Sequence, residues 1–301
     1  MKISFLILQY NNVKDTMKCL ESIKETCGSG CVLQVIIIDN NSHNMVKEDF
    51  ENRLKEYRNK MNIKVIYSDK NLGFSRGNNL GYCEVKKFDP DFLFVTNNDI
   101  IFQNSYLPKV LNKIYEKTEF DLLGPDIYSP ENKNHQNPLD FHCPKLEEAV
   151  EWKKLLTDEL SYYEKGVVPP KNKKTLKMLI KMKAKESLFG GIIKKIQYEI
   201  FKKNKEIILC GACIITSRNY IRKSEKMFYP ETFMYYEEYL LGLRCKKEMF
   251  KVSYDPKLKV IHNNGKSVAT ISSDMIKRMI FCNQAKLDAI DIYINELKEI
   301  E

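Results

Sequence analysis

Residues 32–42 read Val-Leu-Gln-Val-Ile-Ile-Ile-Asp-Asn-Asn-Ser. Val32–Ile38 is an apolar, β-branched run broken only by Gln34. It is too short for an ordinary helix and stops abruptly in polar residues, so it reads as a buried strand. The same pattern recurs on either side. Ile3–Leu8 runs into Gln9, Asn11 and Asn12; Ile63–Tyr67 runs into Ser68–Gly73; Phe92–Val95 runs into Thr96-Asn97-Asn98-Asp99. Between these strands lie helical stretches. Asp15–Glu25 has Met17, Leu20 and Ile23 at helical spacing, Val46–Met61 is charged like a surface helix, and Ser75–Val85 follows. Strands alternating with helices predict βαβ units and a mainly parallel sheet. In such sheets ligands bind outside the carboxyl ends of the strands. Gln9–Asn12, Asp39–Ser42, Asn71–Asn79 and Asn97–Asp99 are therefore expected to converge on one crevice suited to a nucleotide.

The later chain is less regular. Residues 126–145 read as loop, with Pro130, Pro138 and Pro144. Leu146–Tyr163 reads as helix, Ile207–Thr216 as strand and Glu237–Phe250 as helix. Val252–Tyr254 and Lys259–His262 read as extended. Ile271–Glu299 is a long final helix with Ile276, Ile280, Leu287, Ile290, Ile294 and Leu297 on one face, which could equally form a dimer surface.

The chain has 301 residues, 43% hydrophobic and 30% charged, a globular composition. No run of about 18 apolar residues suggests a spanning helix. The N-terminal apolar run is short and reads as a first strand rather than a signal peptide. Nine cysteines without repeated spacing suggest reduced thiols and a cytoplasmic setting, with no zinc site expected. The net charge of +9 is concentrated: residues 171–205 hold 12 Lys against Glu186 and Glu199. The protein carries one basic arm, not a basic body.

Five places could carry chemistry. Asp99 ends the Asn97-Asn98-Asp99 cluster and could ligate a hard divalent ion, although a turn explains it as well. Asp39 could bind a base or ribose, or cap the next helix. In Asn71-Leu-Gly-Phe-Ser-Arg-Gly-Asn-Asn79, Gly73 and Gly77 permit close backbone approach and Arg76 can reach phosphate. This is not the glycine-rich dinucleotide fingerprint. Glu237-Glu238, after Tyr235-Tyr236, pairs two carboxylates whose repulsion raises one pKa and favours a general base. An acidic first helical turn accounts for the same residues. His262 is a metal ligand or a structural histidine.

Taken in order, the phrases Ile37–Ser42, Asn71–Phe74 with Gly77-Asn78-Asn79, Asn97–Asp99, Gly211-Ala212-Cys213, Phe233–Glu238 with Arg244, and His262 with Gly265 and Ser267 resemble the inverting family 2 glycosyltransferases. The similarity is greatest to the bacterial rhamnosyltransferase and galactofuranosyltransferase-like branch. The resemblance implies an α/β GT-A fold, Rossmann-like, with a mostly parallel central sheet flanked by helices. It implies a transferase domain over 1–270, with a nucleotide-binding half at 1–125, a Lys-rich insertion at 126–205 and an acceptor and catalytic half at 206–270. The amphipathic helix 271–301 follows as an extension. Gln9, Asn11, Asp39, Asn71, Arg76, Asn79 and Asn97 would bind the nucleotide of a UDP- or dTDP-sugar. Asp99 and His262 would hold Mn²⁺ or Mg²⁺. Glu238, or else Glu237, would deprotonate the acceptor hydroxyl, and Gly211, Ala212 and Tyr236 would line the acceptor side. Two departures stand out: Asn97 replaces the first Asp of the Asp-x-Asp motif, and Leu240 replaces a second acidic residue after the Glu pair.

The implied acceptor is a glycan or a lipid-linked glycan in surface polysaccharide synthesis, such as capsule. In residues 171–205, Leu176, Leu179, Ile180, Phe189, Ile192 and Ile196 interleave with lysines, which suggests docking on an anionic membrane surface from the cytoplasmic side. A pair of solvated helices is the alternative. Nucleic-acid binding is not expected, because aromatic residues do not interleave with the lysines. A nucleotidyltransferase is disfavoured because Gln9–Asn12 is neither glycine-rich nor basic. A degenerate transferase that binds nucleotide without turnover fits Asn97 and Leu240.

Overall fold

The computed structural model describes residues 1–28, 30–170, 206–263 and 274–300. The basic segment 171–205 and its membrane reading, along with Gly265 and Ser267, lie outside the described residues.

Strand β1 (Lys2–Gln9) is the axis of the sheet. It pairs in parallel with β2 (Val32–Asp39), setting Gln9 opposite Asp39, and with β4 (Phe92–Asn97), setting Leu8 opposite Asn97. β3 (Asn62–Tyr67) extends β2 in parallel and sets Tyr67 beside Asp39. The chain thus builds β1, β2 and β3 in one direction and returns to lay β4 on the other side of β1. That reversal leaves a crevice at the carboxyl ends of β1 and β4.

The full order is β3-β2-β1-β4-β8-β6-β9-β5, with β7 on β6. Parallel pairing holds through β4. β8 (Cys213–Ser217) then enters antiparallel to β4, and the sheet beyond it is mixed. β6 (Leu122–Ser129) lies parallel to β9 (Val252–His262). The short strands β5 (Ile100–Phe102) and β7 (Asn134–His135) complete it.

Alternation along the strands sorts side chains between two layers. Ile3, Phe5, Ile7, Val35, Ile37 and Phe94 face one core cluster; Leu6, Ile36, Ile38, Leu93 and Val95 face another. Each fully buried Ile or Phe contributes about 2–3 kcal/mol. The polar exceptions are paired, as where the Ser4 hydroxyl donates to Gln34 Oε1 at 2.7 Å. Helices α1 (Val13–Cys27), α2 (Lys47–Arg58) and α4 (Leu107–Thr118) cover the first face. Helices α3 (Gly73–Phe88), α6 (Arg218–Lys223) and α7 (Glu237–Lys247) cover the second. Gly81 lets α3 lie close on the sheet: a Cβ there would stand 2.3 Å from Leu6 Cδ1. A third cluster joins α5 (Leu146–Glu164), α7 and α8 (Met275–Ile300) through Ala149, Leu240, Leu243, Ile290 and Tyr293.

β5, α4 and α6 lie in stretches the sequence reading did not assign, and assigned segments differ as well. β6 runs to Ser129, into the stretch read as loop, and its register shifts between Pro125 and Asp126, where proline cannot donate to the ladder. The strand read over Ile207–Thr216 narrows to Cys213–Ser217, because Gly211 and Ala212 form a turn. The two extended pieces at 252–262 are one strand. No described helix is long and apolar enough to cross a membrane. An α/β core of this kind, flanked by helices and followed by a long C-terminal helix, is the arrangement of a GT-A fold.

Candidate active site

The crevice at β1 and β2 is built around Asp39, which is 2% exposed. Gln9, fully buried beside it, donates Nε2 to Asp39 Oδ1 at 3.1 Å and is itself held by the Thr16 hydroxyl. The Ser42 N–H donates to the other carboxylate oxygen at 3.3 Å. Asp39 is therefore oriented from two sides. Asn11 has φ +57° and joins the neighbouring loops: its N–H donates to Ser42 Oγ at 2.8 Å, and its Oδ1 accepts from the His43 N–H at 2.8 Å.

Asn40 was not singled out in the sequence, yet it organises the next wall. Its Nδ2 donates to Asn71 Oδ1 at 2.9 Å and to the Gly73 carbonyl at 3.1 Å, while its Oδ1 accepts from the Leu72 N–H at 2.8 Å. Asn71 Oδ1 also accepts from the Gly73 N–H at 2.9 Å. The amide of Asn79 is committed to the fold: Nδ2 donates to the Phe228 carbonyl at 2.8 Å and to Glu231 Oε1 at 2.9 Å, and Oδ1 accepts from the Phe228 N–H at 3.0 Å. Arg76 is exposed and pairs loosely with Glu231 at 3.6 Å.

The turn Asn97-Asn98-Asp99 leads from β4 to β5. Asn98 anchors it, donating Nδ2 to the Asn12 carbonyl at 2.8 Å and to Thr16 Oγ1 at 3.0 Å. Pairing of β5 with β9 sets Ile100 opposite His262. The result is a contact between His262 Nε2 and Asp99 Oδ1 at 3.3 Å, with Asp99 only 3% exposed. Gln136 Oε1 lies 2.7 Å from His262 Nδ1 and orients the ring. A carboxylate and an imidazole, the latter held through its far nitrogen, suit a divalent cation. Among the described residues no group of three His, Cys, Asp or Glu assembles around a metal position.

The opposite wall is the turn at Cys210-Gly211-Ala212. The Asn137 side chain holds it by accepting the Cys210 N–H at 3.0 Å. The Ala212 carbonyl accepts the Asn97 N–H at 3.0 Å, and the Gly211 N–H donates to Glu238 Oε1 at 3.2 Å. A Cβ on Gly211 would stand 3.0 Å from that oxygen and 3.4 Å from the Phe74 ring. Two consecutive residues therefore link the strand end at Asn97 to the Glu238 carboxylate.

Tyr235 and Tyr236 both lie in the left-handed region, at φ +72° and +63°. Each costs about 1–2 kcal/mol for a residue with a Cβ. The strained pair turns the chain into α7, so that Glu237 and Glu238 are its first two residues. They face different surroundings. Glu237 is buried and accepts a hydrogen bond from the Thr232 hydroxyl at 3.4 Å, which in turn lies 3.1 Å from the Ser75 hydroxyl. Burial, and then the charge of Glu238, push its carboxyl well above the ordinary range. Glu238 is raised by burial, opposed by the Gly211 N–H and its own backbone N–H. Glu238 also lines a cavity of about 10 Å³ with Leu209, Leu241 and Cys245, room for one water at most. Both carboxyls are thus held above the ordinary range, with Glu237 the more enclosed of the two. Arg244 is occupied elsewhere, donating to the Lys226 carbonyl at 2.8 Å and to Glu248 at 2.9 Å. Leu240 sits in the third core cluster.

The chain matches the Glycosyl transferase family 2 profile over residues 4–225 and belongs to that family. Among solved structures, S. aureus TarS 1–349 matches with a TM-score of 0.53 and 14% identity, covering 99% of this chain and 70% of that one. The same protein in complex with UDP matches with a TM-score of 0.36 and 22% identity, over 43% of this chain and 36% of that one. Its complex with UDP-GlcNAc matches with a TM-score of 0.36 and 22% identity, over 43% of this chain and 35% of that one. In these two complexes the match spans only about a third of the TarS chain. The likeness to TarS is one of fold. No curated protein matches the chain significantly.

Proposed function

We propose that this family 2 member is an inverting glycosyltransferase that moves a sugar from a UDP- or dTDP-sugar to a hydroxyl of a glycan or lipid-linked acceptor. The observation that carries the reading is the Asn97–Ala212–Gly211–Glu238 connection, which ties a candidate donor-binding strand end to the half-buried Glu238 carboxylate. Asp39 takes the base of the nucleotide and Asn97 faces the ribose. Asp99 and His262 hold Mn²⁺ or Mg²⁺, which when bound neutralises charge on the departing diphosphate. Glu238 removes the proton from the acceptor hydroxyl. The oxygen attacks the anomeric carbon, a new C–O bond forms, and the bond to the diphosphate breaks with its electron pair leaving on phosphate oxygen. In-line displacement inverts the anomeric centre.

Residues 1–125 serve as the donor half and 206–270 as the acceptor and catalytic half, with 126–205 as an insertion between them and 271–301 as a helical extension. The rhamnosyl- and galactofuranosyltransferase-like motif order supports a place in bacterial surface polysaccharide synthesis. The lysine-rich 171–205 segment supports docking on the cytoplasmic face of an anionic membrane. The test is thermal melting with UDP-, dTDP- and GDP-sugars, with and without Mn²⁺, followed by product analysis. A UDP- or dTDP-sugar that raises the melting point and is turned over supports the reading. A shift without any turnover, even to water, identifies a degenerate transferase, and no shift with any nucleotide ends the proposal.

A further inference from the structure

The turn that aims the Gly211 N–H at Glu238 is anchored by a buried amide. Asn137 is 1% exposed, and both ends of its side chain are used. Its Oδ1 accepts the Cys210 N–H at 3.0 Å, and its Nδ2 donates to the Pro125 carbonyl at 2.9 Å, where the register between β6 and β9 shifts. The turn is thereby tied to β6 one residue before the bond to Glu238. Gly124 makes the room for this amide. A Cβ there would stand 2.5 Å from Asn137 Nδ2 and 2.6 Å from Leu209 Cδ2. Gly124 lies within β6 and outside the left-handed region, so its small size is what the position uses.

Burial raises the Glu238 carboxyl, and the Gly211 N–H is one of two backbone donors that oppose the rise. Among the described residues, the titratable groups that face Glu238 are Glu237 and Tyr239 beside it on α7 and Cys245 across the small cavity. The strands and the chain before the turn present Leu122, Ile207, Leu209 and Val252 to that cavity. An ionised Glu238 therefore leans on the Gly211 N–H, and the place of that N–H is set from Asn137.

We infer that Asn137 is a positioning residue for Glu238: it sets the Cys210–Ala212 turn so that the Gly211 N–H meets the carboxylate. This rests on the transferase reading above and adds to it a residue from the segment between the two halves. One residue earlier, Gln136 orients His262. Adjacent side chains thus support the candidate cation side and the base side of one site.

Two variants test the role by different routes. Asn137→Leu keeps the volume and removes both hydrogen bonds, whereas Gly124→Ala displaces the amide and leaves Asn137 itself in place. Gly81→Ala, which overpacks α3 against Leu6, is the control for general loosening. Each is made in the full-length protein labelled with ¹⁵N-glycine, and its amide spectrum is followed from pH 4 to pH 9. The Gly211 amide is the glycine resonance whose titration disappears in Glu238→Gln. A lost donor disfavours the ionised carboxyl, so in Asn137→Leu and Gly124→Ala the midpoint should move up by about one pH unit. Gly81→Ala should titrate as wild type does. Release of UDP or dTDP from the sugar nucleotide that wild type turns over is measured over the same range. The acid limb of turnover should move up with the midpoint, and kcat should fall about tenfold at neutral pH while donor KM stays within about twofold. A Gly211 titration unchanged in both variants overturns the inference. An equal change in Gly81→Ala overturns it too, as does an unchanged kcat and acid limb in variants whose Gly211 amide has moved. The transferase reading fails separately, if wild type neither releases nucleotide nor shows a nucleotide-dependent melting shift; the amide titration still decides whether Asn137 governs Glu238.

Discussion

Phe74 donates its backbone N–H to the Phe233 carbonyl at 2.6 Å, and Gly73 is what allows the two chain segments so close. At Gly73, φ is +74°, and a Cβ there would lie 2.2 Å from the Phe233 oxygen. The donor-side loop and the segment that leads into Glu237-Glu238 are thus in backbone contact. Neither side of this contact can shift without the other.

Gly73→Ala should therefore do more than strain a turn. The left-handed backbone alone costs about 1 kcal/mol or more for alanine, and the clash falls on backbone that cannot rotate away. A loss of about 2–4 kcal/mol in urea unfolding is expected, with a smaller UDP-sugar melting shift in the protein that remains folded. Unchanged stability would mean the 233–236 segment relaxes freely.

Asn40 supports the same wall from β2. Replacing it with Ala removes two donated hydrogen bonds and one accepted, at a position 3% exposed. It leaves the Leu72 N–H to find another acceptor. A destabilisation of about 2–3 kcal/mol is expected, with weakened nucleotide binding, because Asn71 loses its donor as well. Nucleotide titration followed by melting measures both effects.

The role of Asn40 shows where sequence reading stops. The first four strands were legible because their apolar runs and polar ends follow the period of a buried sheet. Asn40 was visible only as one polar letter among Asp39, Asn41 and Ser42, since its hydrogen bonds reach residues 71–73 through space. β6 was hidden by the prolines in and after it, which mark loops in isolation; Pro125 falls at a register shift beside β9 and the others lie beyond Ser129. The meeting of Asp99 with His262 depends on β5 pairing with β9, a long-range event with no local periodicity to signal it. Glu237 and Glu238 look equivalent as letters; Thr232 and Gly211 distinguish them.

Asp99 and His262 make a separable prediction. Asp99→Asn keeps the side-chain volume and removes the charge that would face a cation. The Mn²⁺-dependent part of a UDP-sugar melting shift should vanish, while the metal-independent part persists because Asp39 and Gln9 are untouched. Gln136→Leu, which frees the far nitrogen of His262, should lower Mn²⁺ affinity by about tenfold or more. Identical Mn²⁺ dependence in wild type and Asp99→Asn would remove Asp99 from the metal site.

Glu237 and Glu238 should part company in both activity and stability. Glu238→Gln removes the proton acceptor and should lower transfer by about a hundredfold or more while donor binding remains. Glu237→Gln preserves an acceptor for the Thr232 hydroxyl and should retain most of the transfer. Its effect on stability has a sign fixed by the raised carboxyl. In the unfolded chain Glu237 ionises near 4.5, whereas in the fold it holds its proton to higher pH. Its contribution to stability is therefore complete below 4.5 and is lost as pH rises towards the folded value. Gln cannot ionise and carries no such loss. Melting curves from pH 4 to pH 8 should show Glu237→Gln gaining on wild type as pH rises, with little difference at the acid end. The reverse order, with Glu237→Gln falling behind at neutral pH, would mean that Glu237 is ionised in the fold and held by a partner, and the assignment of the base to Glu238 would have to be exchanged.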